Sequence, residues 1–311
     1  MEDKMKKVLI PAIGAILCLT LILACGKDDN GNPLAPLRDP VQITLNSNDV
    51  TIVTEDLAVS YLQESKISIP GGGENQLWDY RRVPVKSSDM SAWDPVPANS
   101  PFPGAVATYP TTYGLLGFDV PAVEYAQKDA DFYQYPGFTV AAIRLKLDLA
   151  GTSYIDVEDQ VVPYTPARKA MHFPMAYGNP ADVFASSVRI INGKLTYALL
   201  GFDQTPVGYQ VTHDRTNTVI GWGLLALPNY AEPFDVLLVK AEVKLKDEMF
   251  LNGVLATQEF LTPFGLTQGL TTEFTRYQFY AKGNPQPALT IEVSDGLVTG
   301  ALFMRTAVNG V

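Results

Sequence analysis

Two histidines, three tryptophans and a scatter of carboxylates are the side chains of this 311-residue sequence with the most chemical capacity. His172 and His213 stand far apart, with no Cys or His companion at ligand spacing. A histidine-built zinc site needs more ligands than this, so each is read as a structural or surface imidazole. No Gly-x-Ser-x-Gly elbow occurs, and Gly71-Gly72-Gly73 lacks the Lys-Ser/Thr that completes a phosphate loop, which leaves a turn as its reading. Asp156, Glu158 and Asp159 form the tightest acidic cluster of the body. Paired acids can hydrolyse glycosides or hold calcium, but strand alternation sets Asp156 and Glu158 on one face and Asp159 away from it, the layout of a solvated edge. Trp78, Trp93 and Trp222, with 15 Tyr, could stack on sugars or fill a core, and aromatics on alternating strands are read as core. No catalytic residue, metal ligand or cofactor-binding residue is assigned, and no cofactor is expected.

Cysteine carries the one specific chemical signal. Both thiols, Cys18 and Cys25, fall in or beside the first apolar stretch, so the body has none with which to close a disulfide. Lys4, Lys6 and Lys7 precede an apolar run from Val8 to Ala24, interrupted by Pro11 and Gly14, in the charge-then-apolar layout of a secretory signal. A bilayer-spanning helix takes about 20 apolar residues, and this run is shorter. It ends at Cys25-Gly26-Lys27-Asp28-Asp29, not in the basic residues of a stop-transfer segment.

Leu21-Ile22-Leu23-Ala24-Cys25 resembles the lipobox of bacterial lipoproteins, with an aliphatic residue at minus three and a small one before the cysteine. The resemblance implies cleavage between Ala24 and Cys25 and acylation, including palmitate, on Cys25. Leu23 is bulkier than the usual residue at its position. Each buried methylene contributes about 0.8 kcal/mol, so two or more chains hold a protein stably on a membrane. Lys27-Asp28-Asp29 is similar to the Lys-acid-acid export signal of some Bacteroidota lipoproteins, which implies an outer-membrane protein displayed on the cell surface. The same stretch fails as a calcium loop, because Gly26 and Leu37 would occupy its first and twelfth positions, where Asp and Glu belong.

The elements that must carry any site begin after a linker. Residues 26–40 hold Pro33, Pro36 and Pro40 without an apolar period and would span about 20 Å as a flexible coil. The organisation expected is a signal peptide over 1–24, a lipidated cysteine and linker over 25–40, and a β-rich extracellular region over 41–311. That region could be two packed sandwiches with a boundary near 165–185.

From Val41 onward, short β-favouring runs alternate with Gly, Pro, Asn and Asp, which predicts an all-β fold of antiparallel sandwich type. Ile143 to Leu149 and Leu237 to Lys246 alternate apolar and charged residues, the period of a strand with one wet face. Further strands are expected at 41–46, 49–54, 131–135, 153–157, 186–191, 195–200, 207–212, 219–226, 274–281, 288–294 and 297–306. Asn192-Gly193 and Asp295-Gly296 signal hairpin tips, and Asp247-Glu248 would sit near a third turn before a strand at 249–257. The proline-rich segment 84–121 reads as an irregular excursion.

Several segments resemble a poorly characterised group of secreted Bacteroidota proteins, many of which end in a type IX sorting domain. They are Gly73 to Tyr80, Phe173 to Gly178, Gly221 to Pro228 with Asp235 to Lys240, and Tyr277 to Tyr280 followed by Pro287 to Leu289. Leu224 stands where that group tends to have Thr, and no sorting domain is recognised here, so lipidation would replace that route. The resemblance implies secretion and a β fold, and no activity.

A formal net charge of −10, with no basic cluster after residue 7, excludes a nucleic-acid partner. The reading is a membrane-attached, non-enzymatic binding or structural protein whose ligand is a glycan or a protein. The competing reading is an extracellular hydrolase using paired carboxylates. An aromatic strip beside a groove would favour a glycan, convergent buried carboxylates the hydrolase, and a flat apolar patch a structural assembly role.

Overall fold

The computed structural model describes residues 37–52, 56–115, 118–148, 151–283 and 285–306. Cys25, Ala24, Lys27, Asp28 and Asp29 lie outside the described residues. The described residues from Arg38 onward belong to one compact unit. Among the described residues no helix is long and apolar enough to cross a membrane.

The fold is all-β. In chain order its strands are β1 (Thr44–Leu45), β2 (Asp56–Leu62), β3 (Gly73–Asp79), β4 (Val85–Ala92), β5 (Ala105–Leu115), β6 (Phe118–Lys128), β7 (Phe132–Val140), β8 (Ile143–Lys146), β9 (Tyr154–Val157) and β10 (Gln160–His172). There follow β11 (Met175–Ala176), β12 (Asp182–Val183), β13 (Ser187–Tyr197), β14 (Phe202–Ala226), β15 (Phe234–Leu251), β16 (Val254–Leu255), β17 (Leu270–Tyr280), β18 (Leu289–Ser294) and β19 (Leu297–Thr306). One helical turn, α1 (Gln258–Leu261), follows β16.

The main sheet runs β8-β9-β13-β14-β15-β17-β18-β19-β2-β4, antiparallel throughout. One edge of the long β14 is paired to β15 from Val207 to Leu225. Its other edge takes β13, then β12, then β3, and the β3 pairing is parallel. A second antiparallel sheet, β5-β6-β7-β10, joins the first at Thr165 opposite Val188. The sheets meet face to face across a cluster that includes Phe138 and Val140 of β7, Val162 and Met171 of β10, Leu237 and Val239 of β15, and Tyr280 of β17. A second cluster covers the opposite face of the main sheet, with Trp78, Leu225, Val236, Leu238, Phe279, Ile291 and Phe303.

That double burial explains the pattern of β15. Val236 to Val239 are all fully buried because both faces are covered, while beyond Lys240 the outward residues Glu242, Lys244 and Lys246 are exposed. The alternation read from the sequence at 237–246 is therefore real, and so is that at β8, where Leu145 is buried between exposed Arg144 and Lys146. Asp295-Gly296 turns between β18 and β19 with φ of 51° and 76°.

Several local expectations are overturned, among them strand at residues 49 and 198–200, which lie in 3-10 turns. Asn192-Gly193 is no hairpin tip: it lies inside β13, opposite Gly208 and Val207. A Cβ on Gly193 would come within 3.0 Å of Asp156 O and of Ile155 Cγ2, so this glycine serves close strand approach. Asp247-Glu248 lies within β15, and the turn falls at Asn252-Gly253, with φ of 53° and 76°. Segment 84–121 is not irregular but holds β4, β5 and the start of β6. Its strand prolines sit where no ladder bond is lost: Pro110 is on the edge strand β5, and Pro121 lies beyond the last β6–β7 pair, Ala122 with Val140.

Candidate functional site

The residues singled out in the sequence do not converge. Asp156 takes a two-bond pair from Arg144 at 2.6 and 2.8 Å, Glu158 pairs with Lys194 at 2.5 Å, and Asp159 accepts from the Ala142 amide at 2.6 Å. Each carboxylate is thus held in a separate strand contact. His172 bonds Asp182 through Nδ1 at 2.9 Å and stacks on Phe132. Trp78 and Trp93 are core residues, and Trp78 Nε1 donates to Gly71 O at 3.3 Å. Among the described residues no group of three His, Cys, Asp or Glu side chains could hold a metal ion.

Within Gly71-Gly72-Gly73 it is Gly72 that serves packing. A Cβ on Gly72 would lie 2.5 Å from Ile220 O, and one on Gly223 would lie 2.0 Å from Gln76 O. Gly73–Asp79 and Gly221–Ala226 are therefore partners in the parallel pairing of β3 against β14. The linker end is also fixed: Arg38 makes bonds of 3.0 and 2.7 Å to Asp235, and the Val41 amide adds one at 2.8 Å.

A cleft of about 520 Å³ opens between the two sheets. It is within the usual range for small-ligand sites, about 300–1,000 Å³. Its floor comes from β17, where alternation sends Arg276, Gln278 and Tyr280 to one face while Phe279 points into the second cluster. Arg215 of β14 reaches the same face. The opposite wall is Tyr133 and Tyr135 of β7, with Arg168 and Lys169 of β10 and Tyr109 of β5. Tyr61 of β2 and the segment Pro285-Gln286-Pro287 complete it, and Gln286 Nε2 donates to the Tyr133 hydroxyl at 3.0 Å.

The wall is rigid because its polar groups are tied down. Arg168 Nη2 donates to Glu124 Oε1 at 2.6 Å, its guanidinium lies 4.5 Å from the centre of the Tyr135 ring, and Glu124 is almost wholly buried. Glu124 also accepts from the hydroxyls of Tyr109, Tyr113 and Tyr164. Tyr133 packs edge-on against Tyr135, and burial pushes both phenols up in pKa.

On the floor, Arg215 donates through Nε to Asn217 Oδ1 and through Nη2 to Gln278 Oε1, both at 2.7 Å. Tyr280 OH donates to the same Gln278 oxygen at 3.2 Å, and Asn217 is held by Ala170 O at 2.9 Å. Burial and the neighbouring Arg276 and Arg168 push the Arg215 pKa down. His213, two residues back on the same face of β14, is depressed to about 3 by burial and by the positive field of Arg168, Arg215 and Arg276.

Glu64 and Glu292 also line the cleft, but Glu292 is paired with Arg276 at 2.9 Å and Glu64 with Lys86 at 3.4 Å. The arrangement offers hydroxyls, amides and cations to a bound molecule, with partly exposed rings only at Tyr61 and Tyr109 because Tyr133, Tyr135 and Tyr280 are buried. Sequence reasoning missed it, although its signal was present as polar and aromatic residues repeating every second position: Tyr133 and Tyr135, Arg215 and Asn217, then Arg276, Gln278 and Tyr280.

No protein-family model, curated protein or solved structure matches the chain. The functional reading therefore rests on the residues themselves.

Proposed function

We propose that this chain is a surface-displayed lipoprotein, held to the outer membrane by acyl chains on Cys25, that binds a glycan in the tyrosine-lined cleft without transforming it. The observation that carries this reading is the cleft itself. Tyr61, Tyr109, Tyr133, Tyr135 and Tyr280 border it together with the amides Gln278 and Gln286. Sugars present apolar C–H faces and a dense ring of hydroxyls, which aromatic rings and amide groups complement together. Of the carboxylates that line the cleft, both have cationic partners, which counts against the hydrolase alternative.

An oligosaccharide array probed with the full-length protein in detergent tests the reading. The wild type is expected to bind a defined set of glycans, and Tyr61→Ala, at the partly exposed rim, to lose that set while keeping its melting temperature. Binding that Tyr61→Ala leaves intact, or no binding at all, would remove the cleft as the ligand site.

A further inference from the structure

Charge in the cleft is unbalanced, and the imbalance identifies the kind of glycan. Four cationic side chains, Arg168, Lys169, Arg215 and Arg276, line it against two carboxylates, Glu64 and Glu292. Arg168 and Arg276 have carboxylate partners in Glu124 and Glu292. Arg215 has none: among the described residues its side-chain partners are the neutral oxygens of Asn217 and Gln278 and the Tyr280 hydroxyl. A half-buried guanidinium without a counter-charge bears a desolvation cost that a bound anion would relieve. Burial first, and then the neighbouring guanidinium charges, lower the pKa values of Arg215 and His213. This positive charge is local and opposite in sign to the chain, whose formal net charge is −10.

We infer that the cleft takes an acidic sugar, with Arg215 receiving its anionic group and the partly exposed Tyr61 and Tyr109 lying against its ring. This inference rests on the glycan reading above and deepens it. A planar guanidinium already anchored through Nε and Nη2 is oriented in advance, so its remaining donor capacity is presented at a fixed angle to two oxygens of one acid group. A uronate carboxylate and a sulfate ester share that chemistry. Lys169, whose ammonium lies 3.4 Å from the centre of the Phe132 ring, has no carboxylate partner among the described residues and adds to the attraction.

The test is a calorimetric titration of the full-length protein in detergent with three oligosaccharides of equal length: an oligogalacturonide, a neutral galactan and a sulfated galactan. At least one acidic probe should bind about tenfold or more tightly than the neutral one, and that margin should shrink as salt is raised. Which acidic arm wins assigns carboxylate or sulfate. Arg215→Gln should lose about tenfold for the acidic probe, and Arg215→Lys should retain part of it. Lys169→Gln, away from the Arg215 contacts, should weaken acidic binding without changing the melting temperature, which covers the case in which Arg215 variants fold poorly. Equal binding of acidic and neutral probes, insensitive to salt and to both substitutions, would overturn the acidic-sugar assignment while leaving the glycan reading standing. Failure of all three to bind, where the array had shown neutral glycans alone bound at the cleft, would also overturn it. An empty array would remove both.

Discussion

Arg168 Nη2 lies 2.6 Å from Glu124 Oε1, and this ion pair ties the cleft wall to the core of the second sheet. Glu124 stands behind the wall, 1% exposed, and accepts from three tyrosine hydroxyls besides. Arg168 faces forward, with its guanidinium against Tyr135. The placement of Arg168 and Tyr135 along the cleft wall is thus fixed by a buried carboxylate behind them.

Breaking that pair from one side should be costly. Glu124→Gln leaves a buried guanidinium without its counter-charge, and the expected loss is about 3 kcal/mol or more in urea unfolding. Glu158→Gln, which breaks the exposed pair with Lys194, should lose no more than about 1 kcal/mol. Comparable losses at the two sites would contradict the role given to Glu124.

His213 should make stability depend on acid. Its folded pKa is lowered to about 3 from 6.5, so below pH 6.5 the unfolded chain takes up a proton that the folded chain refuses. The contribution is complete above pH 6.5 and declines by up to about 1.4 kcal/mol per pH unit until the folded value is passed. The stability difference between wild type and His213→Gln should shift by about 2 kcal/mol between pH 7 and pH 5, in favour of the variant. A difference that is constant across this range would show that His213 is accessible to protons in the fold.

Packing of β3 on β14 requires glycine. Gly223→Ala would place a methyl carbon 2.0 Å from Gln76 O, a clash with backbone that no rotamer relieves, and should cost more than about 3 kcal/mol. Gly114→Ala, with nothing within 4 Å of its added carbon, should change stability by less than about 1 kcal/mol. Chemical unfolding of the two variants checks both.

Much of this architecture was legible in the sequence, and what was hidden was hidden for identifiable reasons. The alternation of β15 and the Asp295-Gly296 turn could be read directly, because each is a local preference that the fold honours. Asn192-Gly193 misled because the glycine is needed for contact with β9, not for a left-handed turn. Pro110, Pro121 and Pro163 concealed β5, β6 and β10, since a proline at a sheet edge or beside a register shift is tolerated where the sequence alone suggests a break. The cleft draws on residues from Tyr61 to Gln286, brought together by strand pairing that no local pattern reveals. Its polar ladders were visible, but not that they face one another.

Attachment to the membrane is a separable part of the proposal. Cys25→Ala should move the protein from the membrane fraction to the soluble fraction, and protease added to intact cells should degrade the wild-type body. A Cys25→Ala protein that stays with membranes would mean that something other than acyl chains holds it.

Hydrogen exchange on the full-length protein, with and without the strongest-binding oligosaccharide from the array, tests the cleft most directly. Protection is expected at residues 274–280 and 285–292, with a weaker response at 132–135 and 168–170. Protection confined to other strands, with these segments unchanged, would contradict the assignment of the tyrosine and arginine cleft as the binding site.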